Sequence, residues 1–385
     1  MTERELEFNK YFVKIAENLD ISDTMRDKAI KSYQAVGNWL GDCDVDSDVK
    51  IMPQGSFNLG TVIKPITDKD EYDIDLVCLL KNMRRADGAT IKNSVGDRLK
   101  ENERYKKMLD KEGKRCWTLN YDEFHMDILP CVPNSTFYSE PRFTEIKLTH
   151  KISEMHYTPK YSNPYKYHEW FEQQMQVRAY EIKKEFAAKN QVEIEKVPLY
   201  NIKTPLQRTV QLLKRHRDIT YSTLSDEAKK YAPISMIITT LAAHAYNNES
   251  SVYEALNNIL NNMENYIEIK NNEYWVENPA MTKENFAEKW NSETKYRDEF
   301  MKWLQRAKQE ILVAPKEVFG VHNVSNKMQI CFGENIVRKS FSDMGIETKS
   351  ARESNSLYAT GLTGGLTTNP TNQSKKVGGH TFFGK

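Results

Sequence analysis

The run Tyr72-Asp-Ile-Asp-Leu-Val-Cys78 constrains this chain more than any other segment. Side chains alternate faces along a strand, so Asp73 and Asp75 share one face while Ile74 and Leu76 share the other. The apolar face must enter a core, which sets two carboxylates side by side on the opposite face. Like charges held that close repel, and they persist as a pair where a cation binds them or one takes up a proton. Asp127 extends the argument. It interrupts the apolar strand His125-Met-Asp-Ile-Leu-Pro130, where a charge is costly unless it faces a wet or metal-bound site. If the two strands are neighbours, Asp73, Asp75 and Asp127 form an oxygen-only ligand set. Such a set suits Mg2+ or Mn2+, which keep waters and take further ligands from substrate phosphates. Two ions roughly 3.5 to 4 Å apart are the arrangement used for in-line nucleotidyl transfer. These three acids are therefore the candidate catalytic and metal-binding residues.

Just upstream lies Gln54-Gly-Ser-Phe-Asn-Leu-Gly-Thr61. Gly55 permits close backbone approach, and Ser56 offers a hydroxyl and an amide at the start of a short predicted helix, where an anion is favoured. Gln54, Gly55 and Ser56 are candidate nucleotide-binding residues. No Walker A motif is present. Alone, a Gly-Ser turn or a DxD is commonly a solvated turn or a structural ion pair. It is their order, with a third acid on a later apolar strand, that points to nucleotidyl transfer.

Around these motifs the periodicity predicts an α+β chain. Phe8, Phe12, Ile15 and Leu19 recur at helical spacing, and Ser22 with Asp23 caps a second helix, so residues 1–47 are expected to form a long, broken helix bridging two lobes. A mixed-sheet lobe should span 48–160, with strands near 50–53, 61–65, 72–80, 116–121 and 124–132 and a charged helix at 93–111. A Tyr- and Trp-rich connector over 150–172, including Tyr157, Tyr161, Tyr165, Tyr167 and Trp170, should pack the lobes together. A helical lobe is expected over 161–345, one of its helices starting near Lys283, with the active site in the cleft between the lobes. From Ser350 on there are six Gly and ten Ser or Thr, so residues 346–385 are expected to be a mobile tail.

Several segments carry a resemblance to a known family. The order GS, DxD, then a lone Asp on an apolar strand resembles the polymerase-β-like nucleotidyltransferase superfamily. More narrowly, QGSFNLGT, EYDIDLVCLL, SNPYKYHEWF, LQRTVQLLKRHRD, PISMIITTL and ENPAMTKENFAEKW resemble the bacterial CD-NTases, relatives of cyclic GMP-AMP synthase and oligoadenylate synthase. The resemblance covers about residues 8–315. It implies a two-lobed enzyme that uses two Mg2+ or Mn2+ ions to condense nucleoside triphosphates, ATP first among them, into a cyclic di- or trinucleotide. That second messenger would activate a downstream effector in anti-phage (CBASS) defence. Lys214 and Ser235 match by position the residues that hold the triphosphate. Read without the resemblance, Lys-Arg-His-Arg on a helix is a solvated face and His216 a surface histidine. The zinc- and DNA-binding insert of the animal enzyme is missing, so neither zinc nor constitutive DNA binding is expected. The ending HTFFGK is similar to tails that an accessory enzyme resembling ubiquitin-transfer machinery joins to a target, with Gly384 or Lys385 as the residue joined.

Charge and composition narrow the alternatives. Among 385 residues, 55 Lys and Arg face 54 Asp and Glu, for a net charge of +1. A chain that tracks a polynucleotide backbone needs excess cations, which speaks against a template-free polymerase or an enzyme adding nucleotides to RNA or protein. An inactive nucleotide-binding scaffold is the alternative of another class, though all three acids are present. The five Cys contain no CxxC and the eight His no zinc frame. No run approaches the roughly 20 apolar residues of a membrane span, and the N-terminus lacks a secretion pattern. A cytoplasmic protein is expected.

Overall fold

The computed structural model describes residues 1–42, 49–67, 71–134, 144–154, 156–190, 202–359, 366–368 and 374–378. Two helices open the chain, α1 (Glu3–Asn18) and α2 (Asp23–Gly41), started by Thr2 and Ser22, whose hydroxyls accept the amides of Glu5 and Met25. Then come β1 (Val49–Gln54), α3 (Gly55–Asn58), β2 (Tyr72–Leu80), α4 (Gly88–Glu101), α5 (Glu103–Met108), β3 (Trp117–Asn120), β4 (Phe124–Pro133), β5 (Ile146–Ser153) and β6 (His156–Ser162). The sheet is mixed. Its order is β1-β2-β4-β5-β6, with β3 also paired to β4; β2 and β4 run parallel, the other pairs antiparallel.

A helical lobe follows, built on α6 (Pro164–Asn190), α7 (Pro205–Ser222), α8 (Asp226–Lys229), α9 (Ser235–Ala245) and α10 (Val252–Asn262), with α11 (Glu288–Ser292), α12 (Lys295–Ala307), α13 (Val321–Phe332) and α14 (Glu334–Glu353). The two opening helices divide between the lobes. Phe8, Phe12 and Ile15 of α1 join the helical core with Leu206, Val210 and Trp303. Ala29, Val36 and Leu40 of α2 join the sheet core with Ile74, Leu76 and Ile128.

The segment after α3 is expected to be a strand at 61–65, but it pairs with a helix instead. Side chains along one face of α7 donate to its carbonyls: Gln207 to Leu59 (2.9 Å), Gln211 to Val62 (2.8 Å), Lys214 to Thr61 (3.1 Å) and Arg215 to Lys64 and Pro65 (2.7 and 3.1 Å). Buried carbonyls need partners, and here a helix supplies what a neighbouring strand otherwise would. Gly60 makes the seam fit: its φ is +68°, and a Cβ there would lie 2.6 Å from Gln207 Nε2.

Two other stretches differ from expectation. The helix expected from Lys283 is a strand over Met281–Asn285, because Asn285 hydrogen-bonds the backbone of Tyr274 and Val276 and draws the segment into an antiparallel pair with Glu277–Asn278. The boundary at 345/346 falls inside α14, whose buried Val337 and Ser340 pack it against α1. Past Ser350, Tyr358–Ala359, Leu366–Thr367 and Lys375–Lys376 form a small sheet, and Lys10 donates to the Leu366 carbonyl (2.8 Å). Gly384 and Lys385 lie outside the described residues. Of the connector aromatics, Tyr167 and Trp170 enter the helical core, while Tyr161 and Tyr165 are exposed.

Candidate active site

The parallel pairing of β2 and β4 sets Asp75 opposite Asp127 and Asp73 opposite His125. All three acids therefore occupy one face of adjacent strands, with Ile74, Leu76, Met126 and Ile128 buried behind them. Their mutual repulsion is visible in their protonation. Burial, then Asp127 and Asp73, push the Asp75 carboxyl up to about 7. Burial and Asp127 likewise raise Asp73, against the opposing pull of His125, Lys214 and Arg217. Among the described residues, the side-chain carboxylates of Asp73 and Asp75 accept no hydrogen bond. Asp127 is braced: Thr118, its partner on β3, donates to Oδ1 at 2.5 Å.

Gly55 closes against this front. Its φ is +61°, and a Cβ would meet Asp75 Oδ2 at 2.2 Å, so the chain needs glycine both for backbone conformation and for the carboxylate's room. Gln54 pairs with Asp75 across β1 and β2. Ser56 follows on α3. Beyond them opens a cavity of about 350 Å³, lined on one side by Gly55, Ser56, Asp73 and Asp75, and on the other by Lys214, Arg217, Asp218, Ser235 and Thr239, with Lys64 at the loop between. The sequence-predicted residues thus converge, except that Gln54 and Asp127 stand beside the cavity lining.

Across the cavity, the Lys-Arg-His stretch of α7 is not the solvated face that its residue types alone suggest. Lys214, Arg215 and His216 are all buried. Burial, then the Arg217 charge, lowers the Lys214 ammonium to about 8. His216 is no surface histidine: its Nδ1 accepts from Trp303 Nε1 (3.1 Å), leaving Nε2 to donate to Glu310 (3.0 Å), and burial lowers its pKa. Its role is to fasten α7 to the helical core. The sequence reading missed Arg217, Asp218, Lys64 and Thr239 as cavity residues. Arg217 had a signal, since it lies three residues after Lys214 and so shares its helix face; the others are brought in by tertiary contacts.

The residues present fit divalent metal. The donors are hard oxygens on one face: Asp73 is open to the cavity and Asp75 half-buried beside it, their ionised forms disfavoured by the neighbouring acids and their carboxylates without hydrogen-bond donors among the described residues. Among the described residues no three acidic, His or Cys groups form a closed cluster around one point, so an ion here would draw further ligands from substrate or water.

Comparisons with known proteins identify the family and the fold. Residues 6–174 match the Second Messenger Oligonucleotide or Dinucleotide Synthetase domain. The chain is 31% identical over 382 residues to a c-di-GMP synthase of Roseivirga ehrenbergii, covering 96% of each. Its fold is similar to that of the Bradyrhizobium diazoefficiens CD-NTase CdnG in complex with GTP, with a TM-score of 0.69 at 20% identity over 88% of this chain and 99% of that one. It is similar also to CdnC of E. coli MS115-1 with ATP, at TM-score 0.60 and 14% identity over 84% and 97%. With a full-length relative above 30% identity and the same two-lobed frame, the chain belongs to the bacterial CD-NTases, nucleotidyltransferases that join nucleotides into cyclic products.

Proposed function

We propose that this enzyme condenses nucleoside triphosphates, GTP foremost, into a cyclic dinucleotide, with Asp73, Asp75 and Asp127 as the catalytic acids. The guanine preference follows the c-di-GMP synthase relative; ATP, bound in the CdnC structure, is the second candidate. One observation carries the reading: Asp73 and Asp75, with Asp127 beside them on the same sheet face, look across a cavity at Lys214 and Arg217.

Asp73 and Asp75 would hold both Mg2+ or Mn2+ ions and Asp127 one of them. Bound there, the ions supply activation of the attacking ribose hydroxyl and neutralisation of the leaving pyrophosphate. The chain's own residues do the rest. Lys214 keeps two ammonium hydrogens free of its bond to Thr61 and points a compact charge at the triphosphate. The Ser56 hydroxyl and amide, held beside the acids by Gly55, steady the phosphates from the sheet side. Thr118 fixes the Asp127 carboxylate. The first transfer gives a linear dinucleotide, and attack by its free hydroxyl on its own activated α-phosphate closes the ring with loss of a second pyrophosphate.

The same reading makes the product a messenger sensed by a downstream effector in anti-phage defence, and makes Gly384 or Lys385 the site joined by an accessory enzyme. Among the described residues no helix is long and apolar enough to cross a membrane, and we place the reaction in the cytoplasm. The test is incubation of purified protein with labelled GTP, ATP or both, with Mg2+ or Mn2+. A phosphatase-resistant product with the mass of a cyclic dinucleotide is expected. Only phosphatase-sensitive products, or none with either ion, would overturn the cyclase reading.

A further inference from the structure

Arg217 lines the cavity facing the carboxylates, and its surroundings hold it in one pose. Nε donates to Asp218 Oδ1 at 2.6 Å, while Nη1 donates to the Pro233 carbonyl at 2.9 Å and to Ser235 Oγ at 3.0 Å. Three of the five guanidinium N–H groups are committed by these bonds. The Nη2 hydrogens have no partner among the described residues, on a side chain only 16% exposed. Lys214 lies one helical turn earlier on the same face of α7. Two cations so placed repel; Asp218 and the acids across the cavity offset part of this, yet burial and Arg217 still hold the Lys214 ammonium below its ordinary value, so an anion in the cavity relieves a cost already present. A planar guanidinium with one edge fixed and the other open is suited to two oxygens of a phosphate.

We propose that Arg217 binds the triphosphate through its open edge, and that Ser235 acts through Arg217 as a positioning residue. The inference rests on the nucleotidyltransferase reading and deepens it. Ser235 is the first residue of α9, while Arg217 stands near the end of α7. Their bond therefore ties two helices together at the point where the phosphates would lie. Asp218 and the Pro233 carbonyl complete the clamp. In this arrangement the serine hydroxyl sets the angle of the fork, and the guanidinium makes the contact.

The test is a double-substitution cycle read by equilibrium binding of α,β-methylene GTP, which cannot be turned over, with GMP as the control ligand. Arg217→Ala should weaken the triphosphate analogue by about 10- to 100-fold, the size of a charge-assisted hydrogen-bond pair, and leave GMP within about twofold. Ser235→Ala should weaken it by about 3- to 10-fold, raising KM and leaving kcat nearly unchanged. The double variant should bind no worse than Arg217→Ala alone. Arg217→Lys serves as well if the alanine variant does not fold, because a lysine keeps the charge and loses the fork; in that background Ser235→Ala should cost nothing further. If the two losses multiply, serine touches phosphate directly and the positioning role is wrong. If Arg217→Ala binds the analogue like the parent, the whole inference falls. Either result would leave turnover by the parent enzyme intact. A parent that binds the analogue in the proposed pattern but makes no cyclic product would instead refute the cyclase reading alone.

Discussion

The two walls of the cleft are built on opposite plans. On the sheet side, the Asp73 and Asp75 carboxylates accept no hydrogen bond among the described residues, and burial and the Asp127 charge raise both. On the helical side, Lys214 and Arg217 are held by carbonyls, a carboxylate and a hydroxyl. One wall stores unrelieved charge and waits for a counterion; the other is assembled before substrate arrives. Electrostatic preorganisation is therefore supplied by α7, while the acids depend on what binds.

The severest way to break the contrast is to remove an unrelieved charge. Asp75→Asn should lower turnover by about 1000-fold or more, the scale seen when a group that stabilises the transition state is lost. Above about pH 7, where Asp75 ionises, the same change should raise the melting temperature of the metal-free protein. Mass spectrometry of products and thermal melts check the two halves; a variant that is less stable and inactive would mean that Asp75 is structural. Gly55→Ala comes next. The backbone must leave φ +61° or force a methyl into Asp75, so turnover should fall about 100-fold, with circular dichroism unchanged and a loss of about 1–3 kcal/mol in urea titrations.

The third prediction uses pH. Folded Asp75 holds its proton up to about pH 7, whereas an unfolded aspartate releases it near 3.8. Between those values the folded state binds more protons, so stability falls as pH rises through the window, by at most about 4 kcal/mol. Lys214 acts at the other end: lowered to about 8 from 10.5, it lets stability recover as pH rises between those values. Melting curves of metal-free protein should decline from pH 5 to 7. The decline should flatten on adding Mg2+ and in Asp75→Asn. An equal slope in the variant would remove Asp75 as its cause.

The sequence shows these walls unequally, for a physical reason. Asp73, Asp75 and Asp127 announce themselves because a charge inside an apolar strand violates the strand's own pattern, and period-two alternation then assigns the face. The entry helices are legible in the same way from periodicity and caps. The helical wall breaks no local rule. Lys-Arg-His-Arg is an ordinary polar helix face, and only tertiary contact shows that Gln207, Gln211, Lys214 and Arg215 meet a row of carbonyls at 59–65. The misplaced strand at 61–65 is the same error seen from the other side, since its carbonyls find their donors on a helix and not on a neighbouring strand. At 281–285, Asn285 chooses the strand through bonds to residues nine and eleven positions away, beyond the reach of local propensity.

The smallest effect separates preassembled contact from incidental contact between the lobes. Gln211 on α7 donates to the Val62 carbonyl and to Asp20 Oδ1, both at 2.8 Å, and is fully buried. Lys160 on β6 pairs with Glu288 of the helical lobe at 3.3 Å, but the two side chains are 38% and 71% exposed. Each joins sheet side to helical side. Gln211→Ala leaves a buried carbonyl without its partner and should cost about 1–3 kcal/mol. Lys160→Ala should cost under about 0.5 kcal/mol, since solvent screens an exposed pair and ordering its long side chains offsets the attraction. Urea midpoints of the two variants test the ranking. If Lys160→Ala proved the costlier, the lobes would be fastened at the sheet edge, and the α7 seam would lose its claim to hold the phosphate wall in place before nucleotide binds.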